Sequence, residues 1–154
     1  MLKYFAHHES GHAVAMVKLG IPIERMSLEK FEEGGHGGVK PVAGGCADYY
    51  KHAVAYAAGP LAGDHYIDTA EAASVAEEDT FATDRLYHET GSGSDWDRAK
   101  KCAEHAGKTL LNARRAAADL IVANWSAIRA VAEEFDRSEI LTGAEVEEIV
   151  SRFN

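Results

Sequence analysis

The chain has 154 residues, 46% of them hydrophobic, and a formal net charge of -9. It is the size of one domain, long enough to bury a core, and has the wrong charge for a nucleic-acid backbone, with no Lys/Arg cluster to release counterions. Its longest uncharged apolar stretch, Ala53 to Gly63, contains Pro60 and falls well short of the roughly 20 residues that span a bilayer, so a soluble single domain over 1–154 without membrane or nucleic-acid partners is expected.

Residues 1–19 contain no proline and only one glycine, and Gly20-Ile21-Pro22 supplies a helix cap followed by a residue that cannot continue the turn, which predicts a first helix ending near Gly20. Inside it lies His8-Glu9-Ser10-Gly11-His12, an H-E-x-x-H pentapeptide. Four residues is slightly more than one turn, so both imidazoles project from one face and can share a zinc ion. Glu9 stands between them, placed to take a proton from a metal-bound water. His7 points about 100° away and reads as a neighbour of the ligands.

Ile21 to Lys30 alternates apolar and polar residues, and Gly38 to Val42 is a second extended piece, so two short strands, a hairpin, are expected after the motif helix. His36, in a glycine-rich run, reads as a solvated loop residue or a substrate contact. Ala47 to Ile67 is alanine-rich and helical in character, with Pro60 either starting a new first turn or kinking a continuous helix. Asp68 to Thr90 reads as a partly helical connection. Ser94 then caps a helix that begins with acids at Asp95 and Asp97. Leu110, Ala117, Leu120, Ile121, Trp125, Ile128, Val131 and Phe135 place one apolar face on a long helix from about Lys108 to Phe135. A short helix closes the chain after Leu141-Thr142-Gly143. The two cysteines, Cys46 and Cys102, fall outside any C-x-x-C, and no basic-then-apolar leader follows Met1, so free thiols and a cytoplasmic setting are expected.

A hydrolytic zinc site wants a third protein ligand and an open position for water. Lys18 stands where H-E-x-x-H-x-x-G-x-x-H would put a histidine. Spacing alone does not choose among His7, His36, His52, His65, His88, His105 and the acids.

Tyr4 to Val14 resembles the zinc helix of the FtsH-type ATP-dependent metalloproteases, with its H-E-A-G-H-A stretch. Ala57-Ala58-Gly59-Pro60-Leu61-Ala62-Gly63-Asp64 is similar to the family's L-G-G-R-A-A-E helix, from which Pro60 and Gly63 depart. Thr90 to Ala99 resembles its T-G-A-x-N-D-L-x-x-A segment, and Leu141 to Val146 its closing helix. Aligning the alanine four residues after the family's metal-binding aspartate onto Ala99 puts that aspartate at Asp95 and not at Asp97. The resemblance implies a fold that is mainly α with a small β-hairpin or sheet, a zincin-like FtsH-type peptidase domain. It implies one zinc per chain on His8, His12 and Asp95, with Glu9 as the catalytic base. It further implies an edge strand for substrate at Gly37, Gly38 and Val39, and an orienting role for Asp64 or His65 behind a ligand.

No phosphate loop G-x-x-x-x-G-K-[ST] occurs, so the expected activity is hydrolysis of flexible or unfolded chains without an intrinsic ATPase. A homo-oligomer or a separate partner that delivers substrate is compatible with that reading. Two alternatives stand beside it: a zinc-containing binding or regulatory domain that has lost turnover, against which an intact Glu9 argues, and a purely structural helical domain.

Overall fold

The structure, a computed structural model, describes residues 3–28, 38–69 and 93–154. In chain order these form α1 (Lys3–Leu19), β1 (Ile23–Ser27), β2 (Gly38–Pro41), α2 (Tyr49–Asp68), α3 (Asp95–His105), α4 (Leu110–Ala123), α5 (Trp125–Ser138), β3 (Ile140–Thr142) and α6 (Gly143–Ser151). The chain is mainly helical with a small antiparallel sheet. None of the described helices is long and apolar enough to cross a membrane.

α1 ends as the sequence requires. Gly20 takes φ +72°, its N–H donates to Val17 O at 3.2 Å, and Ile21 N–H reaches back to Met16 O at 2.9 Å. This pair of bonds is a Schellman motif, which satisfies carbonyls that the helix would otherwise leave open and turns the chain into β1.

α2 is the element around which the other helices gather, with α1, α3 and α4 all packed on it. Asp48 starts it by accepting from Tyr50 N at 3.0 Å and Lys51 N at 3.2 Å, the usual work of an N-cap carboxylate. Of the two outcomes open at Pro60, the chain takes the continuous one: the helix runs through it. The missing N–H costs one helical bond, and burial on several sides holds the segment in place. Small residues make that burial close. A methyl group on Gly11 would stand 2.5 Å from Ala62 Cβ and 2.6 Å from the Ala58 carbonyl oxygen. On the α2 side, Gly63 faces the Tyr4 ring and Gly59 faces the His12 ring.

The main apolar cluster fills the space between these helices and the sheet, with Val14, Met26, Ile121, Ile128, Val131, Phe135 and Val146 among its largest buried side chains. Tyr4 and Tyr66 form a second, smaller cluster with Phe5 and Trp125 at its edge.

The sheet order is β2-β1-β3. β1 pairs antiparallel with β2 through Met26↔Val39 and Ser27↔Gly38, as the expected hairpin does. It also pairs antiparallel with β3 through Met26↔Leu141. β3 has three residues, too few to show an alternating pattern, and so escaped the sequence reading. It occupies the far side of β1, so that among the described residues β2, with Pro41, stands at the margin of the sheet.

The long helix expected from Lys108 to Phe135 is two helices. Asn124 breaks it at φ -120°, ψ 20°, donating from its side-chain amide to Leu120 O at 2.8 Å. The apolar stripe continues across the break because its two halves serve different partners: Ala113, Ala117 and Ile121 lie in α4, which packs on α2, and Ile128, Val131 and Phe135 lie in α5, which packs on α1. Three-and-four spacing cannot reveal a change of partner. A capping box between Thr109 and Asn112 sets the start of α4 at Leu110. The connection expected over Asp68 to Thr90 falls almost entirely outside the described residues.

Because the α1–α2 approach has no spare volume at Gly11, Gly11→Ala should lower the unfolding free energy by about 1–3 kcal/mol in urea denaturation. An unchanged midpoint would show that the two helices are not packed this closely.

Candidate metal centre

The helical spacing of His8 and His12 does what the sequence argument required. Their rings share one face of α1, centroids 5.0 Å apart and inclined at 74°, and both side chains are buried. The partner comes from α3. Ser94 caps that helix by accepting from Asp97 N at 3.2 Å, which fixes the first turn and the direction of Asp95. Asp95 Oδ2 accepts from His8 Nε2 at 2.8 Å and from His12 Nε2 at 3.1 Å. Asp97, two residues on, faces away and accepts from Gly93 N–H and Lys101 Nζ, both at 2.9 Å. Residues spaced i, i+2 on a helix do not share a face, so the two acids divide into one turned inward and one outward.

His8 Nε2, His12 Nε2 and Asp95 Oδ2 form a three-residue group able to hold a metal ion, all three atoms within 4.8 Å of one another. Tetrahedral zinc with ligands at about 2.0–2.1 Å needs donors about 3.3 Å apart, so the two contacts to Asp95, at 2.8 and 3.1 Å, would open by a few tenths of an ångström to admit an ion. The tautomer also fits. His12 Nδ1–H donates to the Ala55 carbonyl at 2.8 Å, which leaves Nε2 as the coordinating nitrogen and fixes the ring plane. Gly59 completes the fit, because any side chain there would occupy the volume of the His12 ring.

Without a metal, both nitrogens of His12 face oxygen acceptors, and the ring can donate twice only as imidazolium. Burial pushes its pKa down, but the Asp95 charge and hydrogen bond, the Glu9 charge and the Ala55 carbonyl outweigh that and lift it from 6.5 to about 9. For Asp95 burial pushes upward, and the charge and hydrogen bonds of His12 and His8 overcome it, holding the carboxyl well below the usual carboxylate range. The three side chains thus share the one negative charge of Asp95, which the His12 proton offsets and which a cation could offset in its place.

Glu9 points toward the sheet margin. A Cβ built on Gly38 would lie 2.6 Å from Glu9 Oε2, so the first residue of β2 is in contact with the motif carboxylate. Val39 is the next residue along that strand, half-buried and paired with Met26. Gly37 and His36 lie outside the described residues, as does His88.

The other candidates have different duties. His7 Nδ1–H donates to Lys3 O at 2.6 Å and the ring stacks on Tyr66, ring centroids 4.3 Å apart. His65 meets Trp125 edge to face at 4.4 Å, His52 bonds Cys46 O at 2.9 Å, and exposed His105 lies 3.9 Å from the Tyr49 ring. The ring nitrogens of His12 are committed to Ala55 and Asp95, so its orientation comes from α2 rather than from Asp64. A backbone carbonyl, with no sequence signature, does that work. No protein-family model matches the chain, and no curated protein matches it.

The pKa shifts set the stability profile of chelator-treated protein. His12 is raised, so its contribution is complete below pH 6.5 and is lost as pH rises through about 9. Asp95 is depressed, so its contribution is present above its ordinary value near 3.8 and is lost as pH falls further. Thermal unfolding of the metal-free protein should therefore show its highest midpoint between these limits and a fall from pH 6.5 toward 9, and a midpoint that rises over that interval would contradict the arrangement.

Proposed function

We propose that the chain is a zinc metallopeptidase domain of the zincin-like, FtsH type, hydrolysing peptide bonds in flexible or unfolded chains without an ATPase of its own. The observation that carries this reading is the convergence of His8 and His12 with Asp95, which lies 87 and 83 positions further along the chain, beside a glutamate within the same motif. His8, His12 and Asp95 would hold the ion. When bound, zinc would supply positive charge that acidifies a water molecule and polarises a scissile carbonyl.

Glu9 performs the proton work. Its carboxylate takes the proton from the attacking water and delivers it to the departing amine, which must leave as a neutral or protonated nitrogen. Asp95 would offset part of the charge of a bound ion, and two neutral imidazoles beside a single carboxylate would leave the rest to activate water. Ala55 keeps the His12 ring from turning.

β2 provides the surface on which substrate lies. Among the described residues it pairs only with β1, and an extended peptide added to its open side gains main-chain hydrogen bonds with little side-chain selectivity. Gly38 lets that backbone pass close to Glu9. An edge of this kind accepts only chains that are already extended. Flexible peptides are therefore the proposed substrates, and stably folded proteins are not.

Purified protein should hold one zinc per chain by elemental analysis, lost in a His8→Ala, His12→Ala double variant. Glu9→Gln should keep the zinc while lowering peptide turnover by at least about 100-fold, because the amide cannot accept the proton. Equal turnover in Glu9→Gln, with contaminating protease excluded, would remove Glu9 from the mechanism. Inactivity of both proteins on a broad peptide library would favour a zinc-containing binding domain instead.

Gly38→Ala places a methyl group against the Glu9 carboxylate and should depress kcat with zinc content intact. Unaltered kinetics in that variant would mean that β2 and Glu9 do not work together.

A further inference from the structure

Behind the metal centre lie two side chains that the proposed function does not use. Tyr56 follows Ala55 on α2, and the Ala55 carbonyl is the atom that holds His12 Nδ1 at 2.8 Å. Arg98 follows Asp95 by three residues on α3, a spacing that puts both on one side of that helix. The Arg98 guanidinium carbon stands 5.9 Å from the centre of the Tyr56 ring, a cation–π contact across the α2–α3 boundary. Both side chains are half-buried. Burial pushes the Tyr56 phenol above its ordinary pKa, Arg98 opposes that rise and the Asp95 carboxylate adds to it. Phenol, guanidinium and carboxylate therefore share one electrostatic neighbourhood.

We propose that Arg98 and Tyr56 are positioning residues, a clamp between α3 and α2 that sets the distance from Asp95 to His12. The inference rests on the metal-site reading above. His8 and His12 ride on α1, with His12 oriented from α2, whereas the third donor rides on α3, so the geometry of the group depends on how α3 seats against α2. Asp95 lies in the first turn of α3, and the stack one turn further on limits how that turn can pivot. Ligand placement within about 0.5 Å decides whether a site holds its ion well. A planar guanidinium suits the task better than an ammonium because it lies flat against a ring.

The test compares wild type with Arg98→Gln, Tyr56→Leu, Tyr56→Phe and, as a control on the exposed face of α3, Lys100→Gln. The readouts are zinc affinity by chelator competition and the visible bands of the cobalt-substituted protein, which report ligand geometry directly. Arg98→Gln and Tyr56→Leu should weaken zinc binding by about 10- to 100-fold and alter the cobalt bands. Tyr56→Phe, which keeps the ring face, should stay close to wild type, as should Lys100→Gln. If Tyr56→Leu fails to fold, Arg98→Gln, with its half-exposed side chain, decides the matter. Wild-type affinity in Arg98→Gln, or weakened binding with unchanged cobalt bands, overturns the clamp and leaves the metal site standing. A wild-type protein that binds neither zinc nor cobalt overturns both.

Discussion

Helices α1 and α2 meet through glycine and alanine, and that closeness governs the rest of the molecule. Gly11 leaves room for Ala58 and Ala62, Gly63 for Tyr4, and Gly59 for the ring of His12. Dispersion and apolar burial across such a contact are strong because no void separates the backbones. The same closeness has a chemical result. It brings the Ala55 carbonyl within hydrogen-bonding distance of His12 and holds the ring in the one tautomer that turns Nε2 toward Asp95. Helix packing and the geometry of the His8, His12 and Asp95 group are here a single constraint.

A second consequence concerns charge. Two histidines and an aspartate packed this tightly, with both histidines below a tenth exposed, would be costly if left unneutralised. A proton shared through the raised His12 and the depressed Asp95 is one solution, and a divalent cation is the other. Both compete for the same electron pairs, so metal uptake and proton release are coupled in any such group. Glu9 acts on this balance through its charge alone and is not one of the three donors. It sits half-buried against Gly38, where it adds negative charge near His12 and remains open to the sheet margin.

Most of this was legible in the sequence, and the reasons differ from residue to residue. The motif helix was clear because His8 and His12 obey the helical period and Gly20 can adopt a positive φ. Asp95 follows from the resemblance, and Ser94 as its cap from residue type; spacing alone leaves six histidines and the acids in contention for the third place. The structure separates Asp95 from Asp97 by which face of α3 each occupies. Four features carry no such signal. The Ala55 carbonyl is a backbone atom and has no residue identity. β3 is too short to carry a period, yet it sets β2 at the margin. Asn124 divides one apolar stripe between two helices with different partners, which spacing does not encode. The Tyr56–Arg98 contact joins distant segments of unremarkable type, and only the tertiary fold brings them together.

The central claim is that His8, His12 and Asp95 form a metal centre made of nitrogen and oxygen donors. X-ray absorption at the zinc edge, on protein loaded with one equivalent, tests it most directly. The expected spectrum shows a first shell of two imidazole nitrogens and one or two oxygens at about 2.0–2.1 Å, with the outer-shell scattering that imidazole rings produce and no sulfur. A shell containing thiolate at about 2.3 Å, from Cys46 or Cys102, or one made of oxygen alone, would contradict it.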